Sequence, residues 1–354
     1  MRIELHTTKN DDRPVFISGN FNDWNAQSPS FKMLKINDGH YEFTFSDTST
    51  YPYHLEYKYN RGGWDNEEAD DFGSKTSNRI VIKNQHLITD FVPRWFNKGK
   101  SYPIHLLPKI EVVHQNFEIP QLNKTRRVTI LLPVDYYENT RRYPVLYLQD
   151  GQNLYEKNAP FGTWGIDEKL AVLKEKGHGN IIVVAIDHGE TERIHEFTPP
   201  THINLGIGRK EGTKYLDFMA NTLKPHIDAN YRTFTQKEFT GIGGSSMGGL
   251  ISLFGGILRP ETFGRILVFS PSLWIYPDVY KEAGATGALE QTKLYIYAGG
   301  RESQTMVSNV QTLIQSINES PQNTEINLVV DPNGTHTESK WSVAFPEAVE
   351  WLFY

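Results

Sequence analysis

The stretch Gly244-Ser245-Ser246-Met247-Gly248 sets two serines side by side among glycines. A serine serves as a nucleophile when its hydroxyl stands clear on a sharp strand-to-helix turn, and that turn needs glycine two positions to either side. Only the frame centred on Ser246 has that spacing. Centring on Ser245 puts Met247 where the second glycine belongs. Residues 238–243 read as a strand and the apolar run 247–257 as a helix. In that context Ser246 is the expected nucleophile of acyl-transfer chemistry.

The nucleophile needs a base and an orienting acid, which follow in the order serine, acid, histidine in this arrangement. Of twelve histidines only His336 lies beyond Ser246. It falls in "DPNGTHTESKW", a loop between a strand and the final helix, and so at the carboxyl edge of a sheet. There it can take the serine proton and return it to the leaving group. Two carboxylates follow strands close to that loop. Glu302 comes after "KLYIYAGG" and Asp331 ends the strand leading to His336. Glu302 is the expected acid, because its longer side chain spans the gap, while Asp331 before proline suits a turn cap. Backbone N–H groups must hold the developing oxyanion. Met247, at the helix start, supplies one. The loop in "LYLQDGQNLY" supplies the other from Gln152, with Gly151 allowing close approach.

The elements that position these residues change character along the chain. Residues 1–93 read as all-β, a small sandwich of the immunoglobulin-like kind. "HYEFTF" (40–45), "YHLEYKY" (53–59) and "RIVIK" (79–83, with Ile80 and Ile82 on one face) alternate apolar and polar residues between turn signals. Residues 94–108 read as a linker. From 109 to 354, buried-type strands at 128–133, 144–149, 180–186, 265–270, 293–299 and 326–331 alternate with helical stretches. That pattern predicts an α/β fold with a mostly parallel central sheet covered on both faces. One helix carries Leu216, Met219, Leu223 and Ile227 on one stripe and is expected to kink at Pro225; the last helix is expected from Trp341.

Composition bounds the function. Charged residues make up 22%, hydrophobic residues 38% and aromatics 12% of the 354, with a net charge of −6. The acidic balance argues against a nucleic-acid partner, and no apolar run reaches membrane-spanning length. The opening "MRIELHTTKNDDRPVF" lacks a signal-peptide core, so the cytosol is the expected location. With no cysteine, thiolate chemistry is excluded. His178, His188, His195 and His202 lack zinc-binding spacing, and the chemistry needs no metal or other cofactor. The oligomeric state is not legible.

Several landmarks carry a resemblance: "RVTILLPVDYYENTRRYPVLYLQDGQNLY", "TWGIDE", "HEFTPP", "GGSSMGGLISL", "SPSLW" and "NGTHTESKW". Over 110–354 the chain resembles the putative-esterase family of α/β-hydrolases, which includes enterochelin, feruloyl and acetyl-xylan esterases and S-formylglutathione hydrolase. The resemblance implies catalytic roles for Ser246 and His336. Many members carry aspartate where this chain has Glu302. Trp164, Arg193, Glu196 and Trp274 occupy loops expected near the pocket and are candidates to line it. The first domain resembles starch- and glycogen-binding modules through "VFISGNFNDWN" and "YHLEYKYNRGGWDNEEAD". Trp24 and Trp64 are its candidate sugar-stacking residues. The expected activity is hydrolysis of an acyl or feruloyl ester of a carbohydrate, or a related small ester. A siderophore trilactone and acyl transfer are alternatives within the chemistry, and a non-catalytic glycan-binding protein is the alternative outside it.

Overall fold

Strand residues that alternate between core and solvent build the first part of the chain, and continuous apolar strands build the second. The computed structural model describes every residue except 9–10, 47–48, 83–84 and 203–205. It divides into two compact units, Met1–Pro103 and Ile104–Tyr354.

The first unit contains β1 (Arg2–Thr7), β2 (Phe16–Gly19), β3 (Leu34–Asn37), β4 (His40–Thr44), β5 (His54–Asn60), β6 (Glu68–Ala69), β7 (Arg79–Ile82), β8 (Leu87–Val92) and β9 (Arg94–Trp95). These form sheets ordered β3-β4-β1-β8, β2-β5-β7 and β6-β9. Ile3, Leu5, Ile17, Tyr41, Leu55, Tyr57, Tyr59 and Trp95 meet in its core. Both tyrosine hydroxyls of β5 donate to Asp90, at 2.7 and 2.6 Å, which satisfies buried polar atoms inside an aromatic core.

The run 79–83 forms β7 as far as Ile82, Lys83 lying outside the described residues; Ile80 and Ile82 share one face, the solvent face, and Val81 packs inward. One expectation needs correction here. The segment expected as a linker from 94 begins instead with β9, whose Trp95 and Arg94 pair with Glu68 and Ala69. On β1 and β4, Glu4, His6 and His40 hold potential metal-ligand atoms within 4.8 Å of one another. Arg2 already sits on Glu4 at 2.8 Å and on Glu42, so the chain itself supplies a cation to those carboxylates.

The second unit is organised by an eight-stranded sheet: β10 (Lys109–Ile119), β11 (Lys124–Leu132), β12 (Val145–Gln149), β13 (Ile182–Ile186), β14 (Thr240–Ser245), β15 (Arg265–Phe269), β16 (Thr292–Gly299) and β17 (Thr324–Asp331). Their order is β10-β11-β13-β12-β14-β15-β16-β17. The β10–β11 and β11–β13 pairs are antiparallel and the others parallel, so the sheet is mixed. Val145, Tyr147, Ile242, Ile266 and Ile296 enter one core with Leu216, Leu250 and Leu313 of three helices. Their strand neighbours Leu146, Leu148, Leu267 and Phe269 are equally buried, and Trp164 stacks on Phe269. Burial on both faces explains why these strands read as unbroken apolar runs.

The stripe Leu216, Met219, Leu223 and Ile227 is buried. Its helix runs Gly212–Phe218, widens to a π turn over Met219–Leu223 and resumes at Lys224–Asn230, with Pro225 in the first turn of the last piece. Proline cannot donate to the preceding turn, and the wider π turn absorbs that loss. The last helix starts at Glu338, three residues before the expected Trp341. No described helix is long and apolar enough to cross a membrane.

Candidate active site

Ser246 sits between the end of β14 and the helix Met247–Leu258, with φ 58° and ψ −119°. Such a conformation costs of order 1–3 kcal/mol for a residue with a side chain and persists only where its surroundings enforce it. The Ser246 N–H donates to Phe269 O at 2.8 Å, while Ser246 O accepts from Leu250 and Ser272, both at 3.1 Å. Gly244 is forced by close packing: a Cβ there would lie 2.9 Å from the carbonyl carbon of Gly248. The Ser246 hydroxyl rests 3.2 Å from that of Ser272. Among the described residues it makes no hydrogen bond to His336, though both side chains line one cavity. Catalytic hydrogen bonds often close only when substrate is bound.

His336 Nδ1 lies 2.7 Å from Glu302 Oε2. The Glu302 side chain is only 1% exposed. Its other oxygen accepts from Ser270 Oγ at 2.6 Å and the Gly299 N–H at 2.8 Å. Trp341 Nε1 donates to Ser270 Oγ at 2.8 Å, and its ring meets the His336 imidazole edge-on at 5.0 Å. Three elements therefore fix the carboxylate, which fixes the imidazole. Asp331 stands apart from this chain of contacts. It caps its own turn through the Asn333 N–H at 2.9 Å and pairs with Lys340 at 2.8 Å. Burial alone would raise its pKa, but Lys340 and the Asn333 N–H outweigh that and hold it below the ordinary value.

The two amides expected at the oxyanion are in different settings. Met247 begins its helix, so its N–H has no acceptor within that helix, and the residue lines a cavity beside Ser246. Gln152 begins the short helix Gln152–Tyr155. Its side chain clamps the neighbouring loop, Oε1 accepting from the His188 N–H at 2.9 Å and Nε2 donating to His188 O at 3.2 Å. The left-handed residue of that loop is Asp150, at φ 62°; Gly151 is helical, and its lack of a side chain makes room for Asp187 instead.

Two cavities share Ser246 and Arg193. The larger, about 520 Å³, is lined also by Asp150, Asn153, His188, His336 and Glu338. The smaller, about 390 Å³, is lined by Ile194, Ile207, Met247, Ser272, Trp274 and Ile275. Arg193 and Trp274 thus lie where the sequence suggested. Trp164 and Glu196 do not. Trp164 is buried beneath the site against Phe269, Trp341 and Phe345, since so large an apolar ring gains most by leaving water. Glu196 is fully buried, held by Lys124 at 2.9 Å and by Arg126.

Sequence reasoning missed Ser270, Ser272, Asp150 and Glu338. "SPSLW" and the acidic residue two positions after His336 were the available signals. Asp150 takes both forks of Arg193, at 2.6 and 2.7 Å. Burial, with the Asp150 charge adding to it, pushes the Glu338 carboxyl above the ordinary glutamate range.

A strained serine turn and the imidazole of a histidine–carboxylate pair line one cavity in the unit built on the mixed sheet, an arrangement compatible with ester cleavage. Residues 119–352 match the family described as "Putative esterase", and the chain belongs to that family. It is a carboxylic ester hydrolase. The uncharacterized protein YbbA of Bacillus subtilis is 25% identical over 245 residues, covering 64% of this chain and 92% of that protein. The ferri-bacillibactin esterase BesA of the same organism is 27% identical over 157 residues, covering 40% of this chain and 52% of that one. Among solved structures, the enterobactin esterase FES from Shigella flexneri aligns with a TM-score of 0.57 and 16% identity, over 98% of this chain and 91% of that chain.

Proposed function

We propose that the protein cleaves its ester through a Ser246–His336–Glu302 triad and an acyl-enzyme. The observation that carries this reading is the buried Glu302 carboxylate on His336 Nδ1, with the imidazole lining the cavity that holds Ser246. His336 Nε2 takes the proton as Ser246 Oγ bonds to the carbonyl carbon. The negative charge moves to the carbonyl oxygen, where the Met247 and Gln152 amides receive it. The C–O bond breaks, His336 returns the proton to the leaving alkoxide, and water repeats the sequence to free the acid and Ser246. Glu302 keeps the imidazole in the tautomer with the proton on Nδ1 and offsets the charge it gains.

For the substrate, we favour an acyl or feruloyl ester of a carbohydrate or a related small ester, supported by the apolar cavity beside Met247. A siderophore ester is the second reading, supported by relatives named ferri-bacillibactin esterase and siderophore triacetylfusarinine C esterase. The Trp24 and Trp64 rings, 6.1 Å apart on the first unit, support sugar binding there. Turnover of p-nitrophenyl acetate tests the triad. The wild type should hydrolyse it and take up a fluorophosphonate on Ser246. Ser246→Ala should do neither, and equal background rates in both proteins would overturn the assignment.

A further inference from the structure

His336 must hand its proton to the departing alkoxide, so the alcohol half of the ester leaves on the side where the imidazole stands. Of the two cavities that meet at Ser246, only the larger is lined by His336. That cavity receives the alcohol, and the smaller, apolar one receives the acyl group.

The alcohol cavity is acidic. Asp150, Glu190 and Glu338 line it against the single guanidinium of Arg193. Asp150 and Arg193 cancel each other through their two-point contact. Glu338 is half-buried and, among the described residues, has no Lys or Arg within ion-pair distance. Its carboxylate takes a long hydrogen bond of 3.4 Å from Asn153 Nδ2 and one from its own backbone N–H, with the His336 and Arg193 side chains acting on it only at longer range. A carboxylate drawn partly out of water with so few donors gains from any hydroxyl or ammonium brought to it. An incoming carboxylate would instead meet unbalanced negative charge at reduced dielectric.

We infer that Glu338 makes this site select esters of donor-bearing alcohols without negative charge, such as polyols, sugars or amino alcohols, and reject anionic ones. The selection rests on the triad reading above. An ester whose alcohol half carries a carboxylate or another net negative charge falls on the rejected side, and a sugar ester on the accepted side. Discrimination of this kind comes from a repulsive element as much as from an attractive one.

The test uses three esters of one short acyl group, with glycerol, with choline and with the carboxylate-bearing alcohol glycolate. At low salt, wild-type kcat/KM for the glycolate ester should fall at least about tenfold below the other two. Glu338→Gln should shrink the choline-to-glycolate ratio about tenfold, while Glu338→Asp, which keeps the charge, should preserve most of it. Equal wild-type rates on all three, or a ratio unmoved by Glu338→Gln, would overturn the selection and leave the esterase reading standing. No turnover of any ester would sink that reading instead. If Glu338→Gln fails to fold, the wild-type ratio in high salt decides: screening should compress it, and an unchanged ratio counts against Glu338.

Discussion

Glu302→Gln and Asp331→Asn separate catalysis from turn stability at single residues. Glu302 touches the imidazole and is anchored by Ser270 and Gly299, so its loss leaves His336 without an orienting charge. Glu302→Gln should fold and lose up to about 10⁴-fold in kcat, as expected when a serine–histidine pair loses its carboxylate. Asp331 touches Lys340 and its own turn. Asp331→Asn should keep most of the activity and lower the melting temperature by a few degrees at pH 7, the worth of a solvent-screened surface pair. The sign of the pH dependence follows from the direction of its shift. A depressed carboxyl adds stability above its unfolded pKa and loses it as pH falls through the folded value. The melting gap between wild type and Asp331→Asn should therefore narrow as pH falls below about 4 and close only beneath the depressed folded value. A gap that persists there would show that the turn, not the charge, carries the effect. Retained kcat in Glu302→Gln would remove it from the triad.

The element that decides the site is the turn from β14 into the helix Met247–Leu258. With 2.9 Å from a Gly244 Cβ to the Gly248 carbonyl carbon, Gly244→Ala must push the helix away from the strand. Overpacking of that kind costs about 1–3 kcal/mol. The displaced Ser246 hydroxyl should cost about 10²-fold in kcat, since reacting groups tolerate little misplacement. Cooperative unfolding with full turnover in Gly244→Ala would mean the turn tolerates a side chain. This turn was legible because its glycines serve one local geometry, and the strands 144–149 and 180–186 because burial on both faces leaves them almost wholly apolar. The antiparallel edge was harder to read. β10 is largely exposed, with Ile110 and Val112 facing solvent, so its apolar residues did not form the unbroken run of a buried strand. Ser246 and His336 could be read from chain order and spacing. Asp150, Ser270 and Glu338 could not, because their partners Arg193, Trp341 and Asn153 lie 43, 71 and 185 residues away along the chain. Trp164 misled because a loop tryptophan has the same local pattern in a core as in a pocket wall.

At the scale of the whole molecule, each unit closes its own core. The cluster around Leu216, Leu250 and Ile296 draws on residues 117–317, and that around Tyr57 and Trp95 on residues 3–95. Every side chain assigned to ester cleavage lies in the second unit. The Trp24–Trp64 pair lies in the first, outside its core, with Trp64 39% exposed. Chemistry and sugar contact should therefore separate in experiment. A fragment spanning Ile104–Tyr354 should unfold cooperatively and hydrolyse p-nitrophenyl acetate within about threefold of the intact chain, because it keeps a complete core. The intact chain's tryptophan emission should respond to millimolar maltoheptaose, and Trp64→Ala should abolish the response, since a sugar face stacks on an exposed indole. An intact chain silent to the sugar would leave the first unit without a glucan-binding role. A fragment that folds but fails to turn over the ester would place part of the catalytic requirement in residues 1–103.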